Sequence, residues 1–293
     1  KYDTAIIFMT LSMTLTSDPQ RNKMAAYGRY HTAVVRGIPN SVRYEALIQA
    51  EQRDYVDVEK ARQEKAVYVQ TLRDLGLRIV ELPAAEEHPD CPFVEDCAVV
   101  CNGTALVTRP GHPSRRGEVH AVKKVLEEDL GLEVVHMVED ETTMDGGDVL
   151  FTGKEFFVGL SNRTNEAGAR ILAETFPDYS VTTIPVARGL HLKCFCTMAA
   201  PDVMAVGEGP EAQKAWQEIK ARGDHKYAIL NVPDDGAANC MFVNGTMIHC
   251  AADDFPKSAK TFAAAHLAYP RVQVSNKELA KVDGSLTCCS ILI

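Results

Sequence analysis

Short apolar runs alternate along this chain with stretches in which apolar positions recur every third or fourth residue, the signatures of half-buried strands and of amphipathic helices. They come in a repeated order: strand, tight turn, strand, helix, short strand. The first full copy reads "AVVCNGTALVTRP", a helix over about 116–130, then "EVVHMV". The second reads "DVLFTGKEFFVGLS", a helix over about 165–176, then "VTTIPV". A third runs "DVMAVG", a helix over about 211–222 and "YAILNVP"; a fourth runs "CMFVNGTMIHCA", a helix over about 255–267 and "RVQVS". The turns near Gly103, Gly153, Asp202 and Gly245 lie 50, 49 and 43 residues apart, a spacing expected of stacked or radially arranged units.

The two ends supply a fifth unit. "YHTAVVRGIP" is a lone strand followed by a helix over about 58–75 and the strand "LRIVELP", while "SLTCCSILI" near the C-terminus is a lone strand lacking a partner. Pairing these terminal strands closes the set into a ring without exposed sheet edges. The expected fold is therefore α/β, a five-bladed propeller of five ββαβ repeats. Closure also brings Ile38 and Cys288 into one neighbourhood. Length alone, 293 residues, allows two domains; the repeat replaces that with one domain over 26–293, preceded by a flexible or extraneous arm over 1–25.

Composition excludes several classes. Hydrophobic residues make up 46% and charged residues 24%, as in ordinary globular chains. With 31 Lys and Arg against 40 Asp and Glu, the net charge of −9 offers no basic field for a nucleic acid or an anionic membrane. The run "AIIFMTLSM" near the start superficially resembles a secretory signal, but it is short, interrupted by Thr and Ser, and has no clear small-x-small cleavage site. No stretch approaches the ~18 apolar residues of a membrane span. Sequons occur at Asn102, Asn162 and Asn244, two of them in Asn-Gly pairs that hairpin turns favour. The 9 cysteines, an odd number in a chain large enough to need no staples, point to a reducing, cytoplasmic setting.

Candidate chemistry is concentrated in a few segments. Cys288 and Cys289 are expected in a strand with side chains on opposite faces, where two buried structural cysteines are the ordinary case. A reactive thiol needs a nearby His, because the thiolate is the nucleophile. His191, in the Gly-containing bend "ARGLHLKCFC", is the best candidate partner, although one of 9 histidines is more often structural. "MDGGDVLF" sets Asp145 and Asp148 around two glycines, either a solvated turn or carboxylates aimed inward where glycine lets the backbone approach closely. "FVEDCAVV" embeds Glu95 and Asp96 among apolar residues, and buried carboxylates need a partner such as a cationic ligand. "VGEGPEAQ" lacks the rest of a dinucleotide fingerprint, and Cys194 and Cys196 have no second pair at metal-site spacing.

Taken together, "DCPFVEDCAVV", "TRPGHPSRR", "DGGDVLFTGKEFFVGLSNRTN", "GLHLK" and "VDGSLTCCSILI" resemble the dimethylarginine dimethylaminohydrolase family, in its catalytically competent animal form, over about residues 26–293. That resemblance implies the pentein fold of guanidino-modifying enzymes. It implies Cys288 as nucleophile, His191 as general acid and base, and Asp145 as the carboxylate orienting it. By the same resemblance, Glu95 and Asp96 grip the guanidinium, and Asp90 contacts the amino-acid end. Arg115 and Arg163 hold the α-carboxylate, and the backbone carbonyls of Ile38 and Val282 meet the α-amino group.

The implied activity converts dimethyl- or monomethylarginine to citrulline through a covalent thiouronium on Cys288, relieving inhibition of nitric oxide synthase. No cofactor is required, and zinc is expected only as an inhibitor bound through Cys288 and His191. The implied partners are a methylated arginine and, at most, a second copy in a weak homodimer; the chain is otherwise a monomer, with no nucleic acid and no membrane. The alternatives are an arginine deiminase or amidinotransferase, and a catalytically silent homologue acting as an interaction protein.

Overall fold

The computed structural model describes residues 27–49 and 54–293. The proposed arm over 1–25 lies outside the described residues. Among the described residues, fifteen strands form five three-stranded sheets. The first joins β1 (Thr32–Arg36), β2 (Arg78–Leu82) and β15 (Ile291–Leu292); the second joins β3 (Ala98–Cys101), β4 (Thr104–Val107) and β5 (Glu133–His136). The third contains β6 (Val149–Phe151), β7 (Phe156–Leu160) and β8 (Val181–Pro185), and the fourth β9 (Cys196–Ala200), β10 (Val203–Gly207) and β11 (Ala228–Val232). The fifth contains β12 (Met241–Val243), β13 (Thr246–Cys250) and β14 (Arg271–Val274). Each sheet has an antiparallel pair and a parallel return strand, and a parallel return requires a crossover.

Helices supply those crossovers: α1 (Val42–Glu45) and α2 (Val58–Asp74), then α3 (Val119–Lys124), α4 (Glu166–Thr175), α5 (Pro210–Arg222) and α6 (Pro256–Ala264). A last short helix, α7 (Lys277–Ala280), precedes the C-terminal segment. Sequence punctuation sets their starts: Asp57 and Asn165 cap α2 and α4 by accepting from the N–H of Lys60 and Gly168, and prolines open α5 and α6. The helix expected over 116–130 is shorter than its pattern. It runs as α-helix only to Lys124 and then widens into a π-turn over Val125–Asp129, so Leu126 stays buried while the ladder shifts register. Both Asn-Gly hairpins take positive φ at both turn residues, as type I′ geometry demands. Strand β9, absent from the sequence reading of the third repeat, completes that hairpin.

The terminal strands pair as expected. β1 runs antiparallel to β15, matching Ala33 to Leu292 and Val34 to Ile291, and Ile293 exchanges backbone bonds with His31 and Thr32. The core is divided into five apolar clusters, each drawing on two sheets. Val34 and Leu82 of the first sheet pack with Ala98 and Ala105 of the second, and Leu106 of the second with Val149 and Phe156 of the third. Phe157 and Ile184 join Met198 and Met204 of the fourth, Ala205 and Val232 join Met247 of the fifth, and Val243 and Ile248 join Ala33 and Val35 of the first. No helix among the described residues is long and apolar enough to cross a membrane.

Candidate active site

A 3-10 turn stands just before the first strand of each later sheet and before β15: Val94–Cys97, Gly146–Asp148, Leu192–Cys194, Asp235–Ala238 and Thr287–Cys289. Four of the five contain or adjoin the residues singled out by sequence. Equivalent places in successive repeats thus present Glu95 and Asp96, Asp145 and Asp148, His191, and Cys288 to one region. Position relative to the first strand of each repeat is a signal already present in the chain.

Cys288 and Cys289 do not lie in a strand. They occupy the Thr287–Cys289 turn, and β-structure resumes only at Ile291, because the Thr287 N–H and hydroxyl are tied to the Asn239 side chain and the Ser290 N–H returns to the Thr287 carbonyl. Their surroundings still differ. Cys288 lines a small cavity of about 30 Å³ together with Asp90, Phe93, Asp96, Arg115, Arg163, His191, Val282 and Asp283. Cys289 instead places its Sγ against the Ser285 carbonyl and the Asn276 side chain. Two larger cavities, about 390 and 450 Å³, are lined by neither His191 nor Cys288. We therefore take the smallest as the chemical site, because nucleophile, imidazole and carboxylate meet there.

His191 is 2% exposed, and its Nε2 lies 2.9 Å from Oδ2 of Asp145 and 4.0 Å from Oδ1 of Asp96. Burial disfavours the imidazolium, but Asp96, Asp145 and Asp148 outweigh it and hold the His191 pKa at about 9. Burial likewise opposes ionisation of Asp96, yet His191 and Arg115 bring it down to about 2. The imidazole is therefore an imidazolium at neutral pH. The Cys288 thiol is pushed well up, first by burial and then by the charges of Glu95 and Asp96.

The glycines between the two acids make this packing feasible. A Cβ on Gly146 would lie 2.0 Å from the Glu95 carbonyl oxygen, and one on Gly147 2.4 Å from His191 Nδ1 and 2.9 Å from Asp96 Oδ1. Gly147 also donates its N–H to Asp96 Oδ1 at 2.8 Å. Asp145 is fully buried, and its second oxygen accepts the Gly111 N–H at 2.9 Å. Asp148, also fully buried, has its pKa raised to about 6 by desolvation against the pull of His191.

The remaining expected residues divide. Asp90, Arg163 and Val282 line the cavity. Asp90 accepts the Leu47 N–H and, desolvated, has a raised pKa; Arg163 reaches Asp145 Oδ2 at 3.5 Å. Arg115 also lines it but is committed to protein partners, with NH1 2.5 Å from Asp96 and NH2 2.8 Å from the buried Glu118. Glu95 does not line this cavity: it is paired with Lys193 and accepts the Thr287 hydroxyl at 2.8 Å, bordering the cavity of about 390 Å³ instead. The adjacent acids Glu95 and Asp96 thus border different cavities. Ile38 is likewise not in the lining. Its carbonyl accepts from Arg62 at 2.9 Å, although it shares an apolar cluster with Cys288 as strand closure required.

Sequence reasoning missed Glu118, which neutralises Arg115, and Lys193, which neutralises Glu95. It also missed Asp283, a cavity residue with positive φ whose carboxylate accepts the Gln49 N–H. Lys193 and Asp283 have no local signal, since their partners Glu95 and Gln49 are distant in sequence, whereas Glu118 follows Arg115 by three residues, a helical spacing that could have found it. Among the described residues, the group of three or more ligand-type atoms lying within 4.8 Å of one another is Asp96, Asp145 and His191, without Cys288.

The family described as "N,N dimethylarginine dimethylhydrolase, eukaryotic" matches residues 41–242. The chain is 40% identical over 274 residues to "Putative hydrolase DDAH2" of Bos taurus, covering 91% of this chain and 95% of that one. It is 34% identical to a dimethylarginine dimethylaminohydrolase of Streptomyces coelicolor, covering 84% and 91%. Among solved structures, the dimethylarginine dimethylaminohydrolase of Pseudomonas aeruginosa, a mutant complexed with citrulline, superposes with a TM-score of 0.78 at 26% identity, covering 90% of this chain and all of that one.

Proposed function

This chain belongs to the eukaryotic N,N dimethylarginine dimethylhydrolase family, and from that premise we propose that it hydrolyses dimethyl-L-arginine, and monomethyl-L-arginine, to L-citrulline and the corresponding amine. The observation that carries this reading is the convergence of a thiol, an imidazolium and a carboxylate on one cavity: Cys288, His191 and Asp96. A planar guanidinium resists attack because resonance spreads its charge, so it must be held while a strong nucleophile meets its central carbon.

Asp96 is the anion positioned to hold that cation. Binding of a cation also lowers the cost of ionising Cys288, whose thiol is otherwise kept protonated by burial and neighbouring acids, and the thiol proton passes to solvent as the substrate enters. The thiolate adds to the guanidinium carbon. His191 gives its proton to the methylated nitrogen, which leaves as an amine rather than an amide anion. The resulting thiouronium is attacked by water, one proton of which the now neutral His191 accepts; as the C–S bond breaks, the remaining hydroxyl proton goes to the departing sulfur, releasing citrulline and the free thiol. Asp145 keeps the imidazole oriented throughout. On this reading Arg163 and Asp90, which line the cavity, meet the carboxylate and ammonium ends of the substrate. Arg115 and Glu95, held in ion pairs, support the walls rather than the ligand.

We read residues 26–293 as one catalytic domain and the five sheets as blades of a closed ring, the pentein arrangement. The pairing of β1 with β15 and the five clusters that join the sheets in cyclic order support this. The deciding experiment measures citrulline release from dimethylarginine and from arginine. Preference for dimethylarginine is expected, with Cys288→Ser inactive and Cys289→Ser retaining most activity; preference for arginine points to the deiminase alternative, and no turnover to a silent homologue.

A further inference from the structure

The mechanism leaves one buried ionisable group unused, Asp148, the second acid of "DGGD". It is fully buried and is not among the residues that line the cavity. Its Oδ1 accepts the Leu192 N–H at 2.9 Å, and its Oδ2 accepts the Ser161 hydroxyl at 2.6 Å. The Ser161 oxygen in turn accepts the N–H groups of Arg163 at 2.9 Å and Thr164 at 3.3 Å. The Thr164 hydroxyl accepts the Asp145 N–H at 3.1 Å, and Asp145 holds His191, whose chain neighbour is Leu192.

These bonds form a closed circuit: Asp148, Ser161, Thr164, Asp145, His191, Leu192 and back to Asp148. We propose that Asp148 is a positioning residue that, through this circuit, sets the imidazole of His191 and the Arg163 turn in one geometry. The inference deepens the hydrolase reading and rests on it for its kinetic consequences.

Donor and acceptor counting shows why a carboxylate is required. A hydroxyl has one proton and two lone pairs. Ser161 uses both lone pairs on Arg163 and Thr164, so its proton must go to an acceptor, and Leu192 offers a second donor to the same group. Only a group that accepts at both oxygens satisfies both. An amide would present N–H to one of the two donors, leaving it buried and unpaired. The space is equally restricted: a Cβ on Gly159 would lie 2.5 Å from Asp148 Oδ1 and 2.8 Å from Leu192 Cβ. His191, Ser161, Thr164 and the Leu192 N–H face Asp148, while Asp96, Asp145 and Asp283 act on His191 from the other elements.

The test compares Asp148→Asn, Ser161→Ala and Ser161→Thr in the full chain. Asp148→Asn should lower kcat on dimethylarginine by about 100-fold, the usual cost of misplacing a catalytic group by an ångström. Ser161→Ala, which frees the Arg163 turn but leaves Asp148 on Leu192, should raise KM more than it lowers kcat, and Ser161→Thr should restore both. Independently of turnover, proton NMR at fixed pH should show an exchange-protected Nε2–H for His191 that is lost in Asp148→Asn. Retention of that signal in Asp148→Asn overturns the inference even if the wild-type chain makes no citrulline, an outcome that would defeat only the hydrolase reading. Should Asp148→Asn fail to fold, equal effects of Ser161→Ala and Ser161→Thr, or none from either, overturn it as well.

Discussion

Asp96 and His191 stabilise each other's charged forms, and this single pair gives the protein a pH dependence with a definite sign. The folded-state pKa of His191, about 9, lies above its ordinary 6.5. Its contribution to stability is therefore complete below pH 6.5 and is lost as pH rises through 9. Asp96, at about 2 against an ordinary 3.8, reports the same pair from the acid side, where its contribution is lost as pH falls through 2. Urea unfolding of the wild type and His191→Gln should give a stability gap that narrows between pH 6.5 and 9; a constant gap would show that the pair is not ionised as described. Of the residues read from sequence, Cys288, His191 and Asp96 line one cavity and Asp145 holds the imidazole, whereas Glu95 pairs with Lys193 and the Ile38 carbonyl accepts from Arg62.

At the scale of elements, the 3-10 turn before each first strand is the unit that delivers chemistry. The turn is legible only after the strands are aligned as repeats, since its residues differ: an acid pair, two glycines and an acid, a Lys, a Cys pair. The Gly146–Asp148 turn packs closest. Gly147→Ala would drive a methyl group into His191, and the ring, already fixed by Asp145, has to move. Turnover should fall by about 100-fold, with a stability loss of about 1–3 kcal/mol from overpacking, read by citrulline assay and thermal melting; near-normal turnover would mean that the imidazole can relocate freely. Helices were legible to within a few residues because caps and prolines are local. The π-turn after Lys124 was not, because it depends on how Leu126 reaches the cluster around Ala105 and Val107.

For the whole molecule, the clasp between β1 and β15 joins the chain ends and carries the Thr287–Cys289 turn on the strand that follows it. Ile291 is 4% exposed among residues of both the first and second sheets. Ile291→Ala should cost about 2–5 kcal/mol and lower the temperature of the main cooperative transition, with loss of turnover at the same temperature. Local fraying with an unchanged main transition would show that the clasp is not part of the cooperative unit. The alternation of apolar positions, the caps and the turn dipeptides are interactions between near neighbours, so the sequence by itself determined the order of strands and helices, the five repeats and the chemical types on offer. Which of two adjacent acids faces the cavity, how Arg115 pairs with Asp96, and how Asp148 closes a circuit through Ser161 and Leu192 depend on segments 13 to 51 residues apart arriving together. Only the tertiary structure decided these, because a buried charge is defined by its partner and not by its neighbours in the chain.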